Sequence, residues 1–343
     1  MLLLTIESSC DETAAAVVRD GKVVLSNIVA SQISIHAGYG GVVPEIASRK
    51  HLETISTVIS EALQSASVSL ADIEGIAVTQ GPGLAGALLV GISTAKAMAY
   101  ALGVPIVGVN HIESHLLAVF LERPVEFPFV ALAVSGGHTH LYLVEGVGRY
   151  RTLGQTLDDA AGEAFDKVAK LLGFPYPGGA LIDRLADEGD PESIRFPRPL
   201  MRDETFNFSF SGLKTSVLNY LQRNPASAEG DALKDICASF QAAVCDVLVH
   251  KTAAAISATG IKRVVVAGGV ACNSGLRREM GRLAEQGGIE LYMPSPQLCS
   301  DNAAMVGVPG DYYLKNNILS GFDIDALPVW RLDDIASRLT TEL

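Results

Sequence analysis

Residues 2–18 read LLLTIESSCDETAAAVV, which is an apolar run, a polar turn and a second apolar run. Residues 129–144 read FVALAVSGGHTHLYLV and repeat this order. Short apolar runs bounded by turn residues are typical of buried strands, so each stretch predicts two strands joined by a turn of small residues. The recurrence predicts a duplicated unit that begins with this strand–turn–strand.

The elements that follow each stretch occur in the same order. After the first, the sequence predicts a strand at 23–28, a helix at about 44–66, and alternating strands and helices. After the second it predicts a strand at 150–156, a helix at 158–172 and, beyond an insertion, the same alternation. Both halves have the order βββαβαβα, which predicts an α/β fold of two duplicated domains that face each other across a cleft.

The predicted domain boundary lies in the stretch from Glu122 to Pro128, where two prolines interrupt the periodic pattern. The first domain is 1–122 and the second is 123–301. We expect a C-terminal helix at about 302–343 to complete the first domain, and an inserted segment at about 175–230 to belong to the second.

Composition limits the class of protein. The 343 residues are 48% hydrophobic and 19% charged, which excludes a disordered chain. The formal net charge of -12 argues against a protein that holds nucleic acid by its overall field. Five cysteines without a C-x-x-C pair predict free thiols in a reducing cytoplasm. The apolar segment 84–109 is interrupted by Gly91, Gly103 and Pro105, so it predicts a buried helix and strand and no membrane span.

Two histidines have the spacing of metal ligands. His111 and His115 are four residues apart in a predicted helix, so both imidazoles lie on one face and can share a metal. Glu113 lies about 200° around the helix from His111, so the pattern is not that of an H-E-x-x-H peptidase. Two ordinary helix histidines are the alternative. Asp301 is the best candidate for a third ligand, or else a helix N-cap. Two imidazoles and a carboxylate suit iron(II) or zinc.

Glycine turns follow two of the apolar strands, at 135–137 and at 268–269. Glycine allows the backbone to approach a ligand closely, and a strand–turn–helix suits a nucleotide base, ribose or phosphate. A tight turn without a ligand is the alternative at both places. Asn273, at the start of the helix after the second turn, either caps that helix or contacts the ligand.

An acidic stripe of Asp159, Glu163 and Asp166 runs along the helix predicted at 158–172. Such stripes are usually solvated faces. The functional alternative is that Asp166 accepts hydroxyl protons from a ribose. A following glycine turn and a short helix that carries Asp183 favour the functional alternative.

The segment 195–214 interleaves arginines with phenylalanines. Such a pattern suits single-stranded or loop RNA, through phosphate pairing and base stacking. The alternative, slightly favoured, is a loop whose phenylalanines pack onto the domain.

Eight short motifs occur in order along the chain. They are Glu7-Ser8-Ser9-Cys10-Asp11-Glu12-Thr13, Gly40-Gly41-Val42-Val43-Pro44-Glu45, Gly81-Pro82-Gly83-Leu84, His111-Ile112-Glu113-Ser114-His115, Ser135-Gly136-Gly137-His138-Thr139, Asp159-Ala160-Ala161-Gly162-Glu163-Ala164-Phe165-Asp166-Lys167, Phe208-Ser209-Phe210-Ser211-Gly212-Leu213-Lys214 and Gly268-Gly269-Val270. Together they closely resemble the bacterial TsaD family, formerly called Gcp or O-sialoglycoprotein endopeptidase. The resemblance runs from residue 5 to about residue 305.

The resemblance implies an actin/sugar-kinase/Hsp70-like fold and a reaction on tRNA. A threonylcarbamoyl group passes from threonylcarbamoyl-adenylate to N6 of the adenosine 3′ of the anticodon, in tRNAs that read codons beginning with adenine. Within the same resemblance, His111, His115 and Asp301 are the ligands of one iron(II) ion per subunit, with zinc as the alternative. Asp11 and Glu12 match an acidic pair at the first turn and are the candidate catalytic residues.

The same resemblance implies an adenylate site and a set of partners. The expected binding residues are Ala133, Val134, Ser135, Gly136, Gly137, Asp166, Gly179, Asp183 and Asn273. The expected partners are a paralogous TsaB that forms a heterodimer and an ATPase, TsaE, in the cytoplasm. The alternatives are an O-carbamoyltransferase or kinase of the same fold, a metal-dependent glycopeptidase, and a nucleotide-dependent binding module.

Overall fold

A computed structural model describes residues 1–225 and 229–336, and the chain forms two compact units. Unit 1 comprises Met1–Glu126, Glu145–Tyr150 and the segment from Ser300 onward, and unit 2 comprises Phe127–Val144 and Arg151–Cys299. The predicted domain boundaries differ from the boundaries of these units, because the prediction assigns 145–150 to the second domain. The structure places this stretch in unit 1, where the Tyr150 hydroxyl donates a 2.7 Å hydrogen bond to Glu113.

Unit 1 is built on a five-stranded sheet of order β3-β2-β1-β4-β5. Its strands are β1 Leu2–Glu7, β2 Glu12–Arg19, β3 Val23–Ser31, β4 Gly75–Gly81 and β5 Ile106–Asn110. Its first helices are α1 Ile33–His36, α2 Pro44–Ala66, α3 Ala85–Leu102 and α4 His111–Leu117. Strand β1 runs antiparallel to β2 and parallel to β4, so the polar turn between β1 and β2 lies at the same sheet edge as the carboxyl ends of β4 and β5.

Unit 2 repeats this topology. Its strands are β6 Phe129–Val134, β7 Thr139–Gly146, β8 Arg149–Gln155, β9 Arg263–Ala267 and β10 Glu290–Tyr292, in the order β10-β9-β6-β7-β8. Its helices are α5 Ala161–Leu171, α6 Gly179–Ala186, α7 Ser211–Arg223, α8 Gly230–Thr259, α9 Ser274–Gly287 and α10 Pro296–Cys299. The central β6 is antiparallel to β7 and parallel to β9, as β1 is to β2 and β4. The predicted duplication is therefore confirmed.

Helix α5 begins at Ala161, three residues later than the helix predicted from 158. The reason is a distant partner for Asp158: its carboxylate accepts hydrogen bonds from the Phe210 backbone N–H (2.8 Å) and from the hydroxyls of Ser209 (2.6 Å) and Ser211 (2.7 Å). Asp158 therefore holds the inserted segment by hydrogen bonds, and the helix begins after it.

The C-terminal segment differs from the single helix predicted at 302–343. It has a 3₁₀ turn at Ala304–Val306 and helix α11 at Gly307–Lys315, and the described chain beyond them is mostly irregular. Asn317 has a left-handed backbone (φ 58°) that ends the helix, and Leu327 then donates a backbone hydrogen bond to Gln80 of β4 (2.8 Å). Residues 337–343 of that prediction lie outside the described residues.

Helix α3 is, within the described part of the chain, the one helix whose length and composition would suit a membrane span. Its Leu88 and Ile92 side chains belong to the hydrophobic core of unit 1 together with Leu4 and Ile6 of β1. Gly91 lies against Ser8 so closely that a Cβ atom there would be 2.4 Å from the Ser8 hydroxyl. The apolar composition of α3 is therefore explained by packing on the sheet.

Candidate metal centre and nucleotide cavity

The two histidines with ligand spacing lie at the carboxyl end of β5. Asn110 ends that strand, and its side-chain oxygen accepts hydrogen bonds from the backbone N–H groups of Ile112 (2.9 Å) and Glu113 (3.2 Å). This cap begins α4 at once, so His111 and His115 lie on adjacent turns with ring centroids 4.6 Å apart. Both side chains are buried.

Asp301 completes the cluster from the distant C-terminal segment. Its Oδ1 lies 3.0 Å from His115 Nε2 and 3.6 Å from His111 Nε2. One ligand atom from each of the three residues lies within 4.8 Å of the others. Two imidazoles and one carboxylate converge as metal ligands do, and three protein donors leave coordination positions for a substrate. The residues present therefore fit an iron(II) or zinc ion.

Glu7, at the end of β1, holds His111 from the other side. Its Oε2 lies 3.0 Å from His111 Nδ1, and the same carboxylate accepts hydrogen bonds from the Ser9 backbone N–H (2.6 Å) and the Thr79 hydroxyl (2.6 Å). A carboxylate on the second imidazole nitrogen is the usual partner of a metal-ligating histidine, because it fixes the ring and its tautomer. Glu7 is not among the predicted site residues, although a charged residue at the end of a buried strand is a visible signal in the sequence.

The electrostatics of the metal-free cluster favour a cation. Burial alone would lower the pKa of His111, but the carboxylates of Glu7 and Asp301 outweigh burial and raise that pKa to about 9. Without a metal, the cluster therefore takes up a proton on His111. A divalent ion bound between the same groups would replace that proton.

Glu113 faces away from the two histidines, as its helical angle predicts. Its Oε1 accepts hydrogen bonds from the hydroxyls of Tyr150 and Tyr313, each at 2.7 Å, and from the Gly148 backbone N–H at 3.1 Å. Burial raises the pKa of this carboxyl to about 7. Glu113 therefore accepts hydrogen bonds within the core of unit 1, and it does not occupy the position of the general base of a zinc peptidase.

Asp11 and Glu12 lie in the first turn and at the start of β2. Asp11 is buried, and Glu12 accepts a 3.1 Å hydrogen bond from the Ser31 hydroxyl. Burial raises the pKa of Glu12 to about 9, and the charges of Asp301 and Asp11 add to that effect. The charge of the Asp301 carboxylate therefore affects the ionisation of Glu12, and the catalytic role of Asp11 and Glu12 stays a prediction.

Unit 2 contains a separate cavity of about 290 Å³. Its lining residues are Gly136, Gly162, Phe165, Asp166, Pro177, Gly179, Ala180, Asp183, Gly269, Val270, Cys272 and Asn273. They come from the β6–β7 turn, helices α5 and α6, and the turn after β9. An apolar wall with a few carboxylates and glycine turns is typical of a small-molecule site.

Five of the nine predicted adenylate residues line this cavity: Gly136, Asp166, Gly179, Asp183 and Asn273. Ser135 and Gly137 lie in the adjoining turn. Ala133 and Val134 are buried within β6, where they pair with His140 and Thr139 of β7, so they support the turn from the sheet.

Hydrogen bonds hold the polar wall of the cavity in place. Asp166 accepts from the Gly178 backbone N–H (2.9 Å), and Asp183 accepts from the Ser274 hydroxyl (2.8 Å). Asn273 caps α9 by accepting from the Leu276 N–H (2.8 Å). The N-cap role of Asn273 is therefore confirmed, and its contact with a ligand stays a prediction that its place in the cavity wall allows.

Gly162 lines the cavity but is not among the predicted site residues. A Cβ atom at this position would be 2.6 Å from the Ser135 carbonyl oxygen and 2.8 Å from Gly136 Cα. Glycine there lets the start of α5 approach the β6–β7 turn. The contact joins residues far apart in the chain, so the glycine itself is its only sign in the sequence.

Three of the four phenylalanines of segment 195–214 are buried, and Phe206 is half-buried against the same core. Phe196, Phe208 and Phe210 are buried in the core of unit 2, so stacking of RNA bases on them is excluded and the packing alternative is correct. The arginines remain at the surface. Arg195, Arg198 and Arg202 line a groove of about 850 Å³ with Asp203 and Asp246, among others.

Comparison with known proteins shows the family. The family model for tRNA N6-adenosine threonylcarbamoyltransferase, TsaD, matches residues 23–308. A curated protein of that name from Geotalea uraniireducens (strain Rf4) is 88% identical over 340 residues, which are 99% of this chain and 99% of that protein. The chain belongs to the TsaD family. TsaD relatives in Geotalea daltonii (75% identical, 98% of both chains) and Geobacter sulfurreducens (66% identical, 98% of this chain and 99% of the relative) carry the same name.

Solved structures confirm the predicted fold of this TsaD family member. HypF from T. kodakarensis has a TM-score of 0.63 at 16% identity, over 92% of this chain and 48% of that one. A ROK hexokinase from Thermus thermophilus has a TM-score of 0.52 at 16% identity, over 92% of this chain and 100% of that one. At these identities the likeness concerns the fold alone, and it is the actin/sugar-kinase/Hsp70-like fold.

Proposed function

We propose that the chain transfers the threonylcarbamoyl group of threonylcarbamoyl-adenylate to N6 of the adenosine 3′ of the anticodon, in tRNAs that read codons beginning with adenine. Family membership over residues 23–308 supports the reaction class. The observation that carries the proposal is the convergence of His111, His115 and Asp301, which a simple sugar kinase chemistry does not require. The duplicated fold supplies, in addition, a cavity suited to a nucleotide.

The cavity of unit 2 would hold the adenylate half of the donor. The carboxylates of Asp166 and Asp183 keep lone pairs that can accept ribose hydroxyl protons, since each is already oriented by a backbone or side-chain donor. Gly136 and Gly137 in the β6–β7 turn have no side chains, so a phosphate group can lie against the backbone there. Apolar contacts from Phe165 and Val270 suit the faces of a purine.

The cluster of unit 1 would hold the reacting end of the donor through a metal. When bound by His111, His115 and Asp301, iron(II) or zinc supplies Lewis acidity that polarises and orients the carbamoyl group. Glu7 keeps the Nε2 atom of His111 directed toward Asp301, because its own bond occupies Nδ1.

The transfer itself needs little from the protein beyond positioning and one proton acceptor. The N6 nitrogen of adenosine forms a bond to the carbamoyl carbon, the anhydride C–O bond breaks, and AMP leaves. A mixed anhydride is already activated, so no protein nucleophile is required. We propose Asp11 and Glu12 as the acidic pair that handles the proton the amine loses. With its pKa raised to about 9, Glu12 is the protonated member near neutral pH, so the Asp11 carboxylate is the proposed acceptor.

The family resemblance supports a set of partners for this reaction. We propose a heterodimer with a TsaB-like paralogue, a TsaE-like ATPase that docks on it, and a cytoplasmic location. The acidic net charge of -12 supports a need for help in holding tRNA.

The test is a transfer assay with the purified chain, its partner proteins, unmodified tRNA and synthetic threonylcarbamoyl-adenylate, read out by mass spectrometry of nucleosides. We expect His111→Ala to lose both bound metal and transfer. The matched control is His250→Ala, which removes an exposed histidine of α8 and should retain both. Full transfer by metal-free His111→Ala would overturn the proposed role of the metal.

A further inference from the structure

Two cysteines meet at the wall of the cavity. Cys272 ends the turn after β9 and lines the cavity, and Cys299 ends α10 in the core of unit 2. The turn packs against α10, so the two thiols lie on neighbouring segments. Each sulfur also contacts a carbonyl of the 294–296 loop: Cys299 Sγ lies 3.4 Å from the Pro294 oxygen, and Cys272 Sγ lies 3.7 Å from the Pro296 oxygen.

Arg277 fixes this pair. Its guanidinium donates to the backbone oxygens of Ala271 and Pro294, both at 2.7 Å, and lies 3.5 Å from Cys299 Sγ. It thereby ties together the two segments that carry the cysteines and places a permanent positive charge beside them. A cationic neighbour favours the thiolate, which is the reactive form of cysteine.

We infer that Cys272 and Cys299 are a redox-active thiol pair, in which the cavity-lining Cys272 reacts with peroxides and Cys299 resolves the product to a disulfide. The Cys272 thiolate attacks a peroxide oxygen, the O–O bond breaks, and a sulfenic acid and hydroxide form. The Cys299 sulfur then attacks the Cys272 sulfur, the S–O bond breaks, and water leaves. In total two thiols and one hydrogen peroxide give one disulfide and two waters.

The chemistry of the two thiols fits these separate roles. The contact with Cys299, together with the charge of Arg277, lowers the pKa of Cys272 to about 7. Cys272 is half-buried at the cavity, so a small oxidant can reach it, while Cys299 is buried behind it. Cys10 is also half-buried, but burial and the charge of Asp11 raise its pKa, so it serves as an internal reference.

Tryptic mapping can test this directly, because Cys272 lies alone in the peptide 264–277 and Cys299 alone in 283–315. The folded chain is treated with hydrogen peroxide at pH 7, quenched with acid, alkylated and digested. We expect the linked pair of these two peptides to form and to disappear after dithiothreitol. We also expect iodoacetamide to label Cys272 of the untreated protein about tenfold faster than Cys10.

Variants make the test specific. Cys299→Ser should leave Cys272 to proceed to sulfinic acid, which dithiothreitol does not reverse, whereas Cys237→Ser in α8 should behave as the wild type. Absence of the linked peptides, or labelling of Cys272 no faster than that of Cys10, would overturn the inference.

The consequence for nucleotide binding rests on the proposed function, and AMP tests it separately. We expect saturating AMP to slow labelling of Cys272 and to leave that of Cys10 unchanged. If the disulfide forms but AMP gives no protection, the thiol pair stands and the assignment of the cavity to an adenylate fails.

Discussion

At the scale of the residue, the site depends on contacts between positions far apart in sequence. His111 and His115 could be predicted as a pair because helical spacing is local, and the family resemblance added Asp301. Glu7 could not be predicted as the partner of His111, because the 3.0 Å contact joins the ends of two different strands of the sheet. The sequence also did not decide whether Phe208 and Phe210 are buried, since an aromatic side chain can pack in a core or stack on an RNA base.

Glu7→Gln tests the support of the metal centre. We expect an affinity for zinc or iron(II) that is 10- to 100-fold lower, because the amide no longer fixes the His111 ring as a carboxylate does. The measurement is a titration of the metal-free protein against a competing chelator. Glu113→Gln is the matched control, since this second buried glutamate faces away from the histidines. Unchanged affinity in Glu7→Gln would show that the contact has no part in metal binding.

Glu113 makes stability depend on pH. Its pKa is raised from 4.5 to about 7 in the folded chain, so the unfolded chain loses this proton first as pH rises. The stability that this group contributes is therefore fully present below pH 4.5 and falls between pH 4.5 and pH 7, by up to about 3 kcal/mol. The Glu113→Gln variant has no carboxyl group at this position, so it lacks this contribution to the pH dependence of stability.

The measurement is thermal unfolding of both proteins between pH 4.5 and pH 7.5. The wild type should lose stability relative to Glu113→Gln as pH increases, and a constant difference across this range would contradict the prediction.

At the scale of the element, alternation and glycine positions predicted the two sheets closely. The predicted strands match because apolar runs and turns are local signals. The predictions were wrong for the start of α5, for the placement of 145–150 and for the C-terminal segment. Each of these depends on a tertiary hydrogen bond, which local helix and strand propensities do not reveal.

The turn after β9 distinguishes two adjacent glycines. Gly268 has φ +97°, and a Cβ there would lie 2.4 Å from the Val134 carbonyl oxygen, whereas nothing lies within 4 Å of a Cβ at Gly269. We expect Gly268→Ala to destabilise unit 2 by about 2 kcal/mol or more, and Gly269→Ala to change stability little. Chemical denaturation of both variants checks this, and equal stabilities would show that the close approach is not required.

At the scale of the whole molecule, an acidic chain acts on an acidic substrate. The net charge of -12 means that tRNA must be held by local cations, and the groove with Arg195 and Arg202 is the candidate. The contact of this segment with tRNA stays a prediction, whereas the slightly favoured packing of its phenylalanines is confirmed for Phe196, Phe208 and Phe210.

Salt dependence tests this surface. We expect the isolated chain to bind tRNA weakly, with an affinity that falls steeply as salt increases. Replacing Arg195 and Arg202 by Ala should reduce the slope of log affinity against log salt by about one for each lost phosphate contact. Arg282→Ala is the control, since this exposed arginine is paired with Glu279 at 2.7 Å. Tight binding that is insensitive to salt would contradict the prediction.

The most direct test of the central claim is nucleoside analysis of tRNA from a bacterial strain depleted of its own TsaD and supplied with this chain. Mass spectrometry should show threonylcarbamoyl-adenosine restored by the wild type and absent with His111→Ala, while His250→Ala restores it fully. Unmodified adenosine in the presence of abundant, folded wild-type protein and the partner proteins would contradict the account.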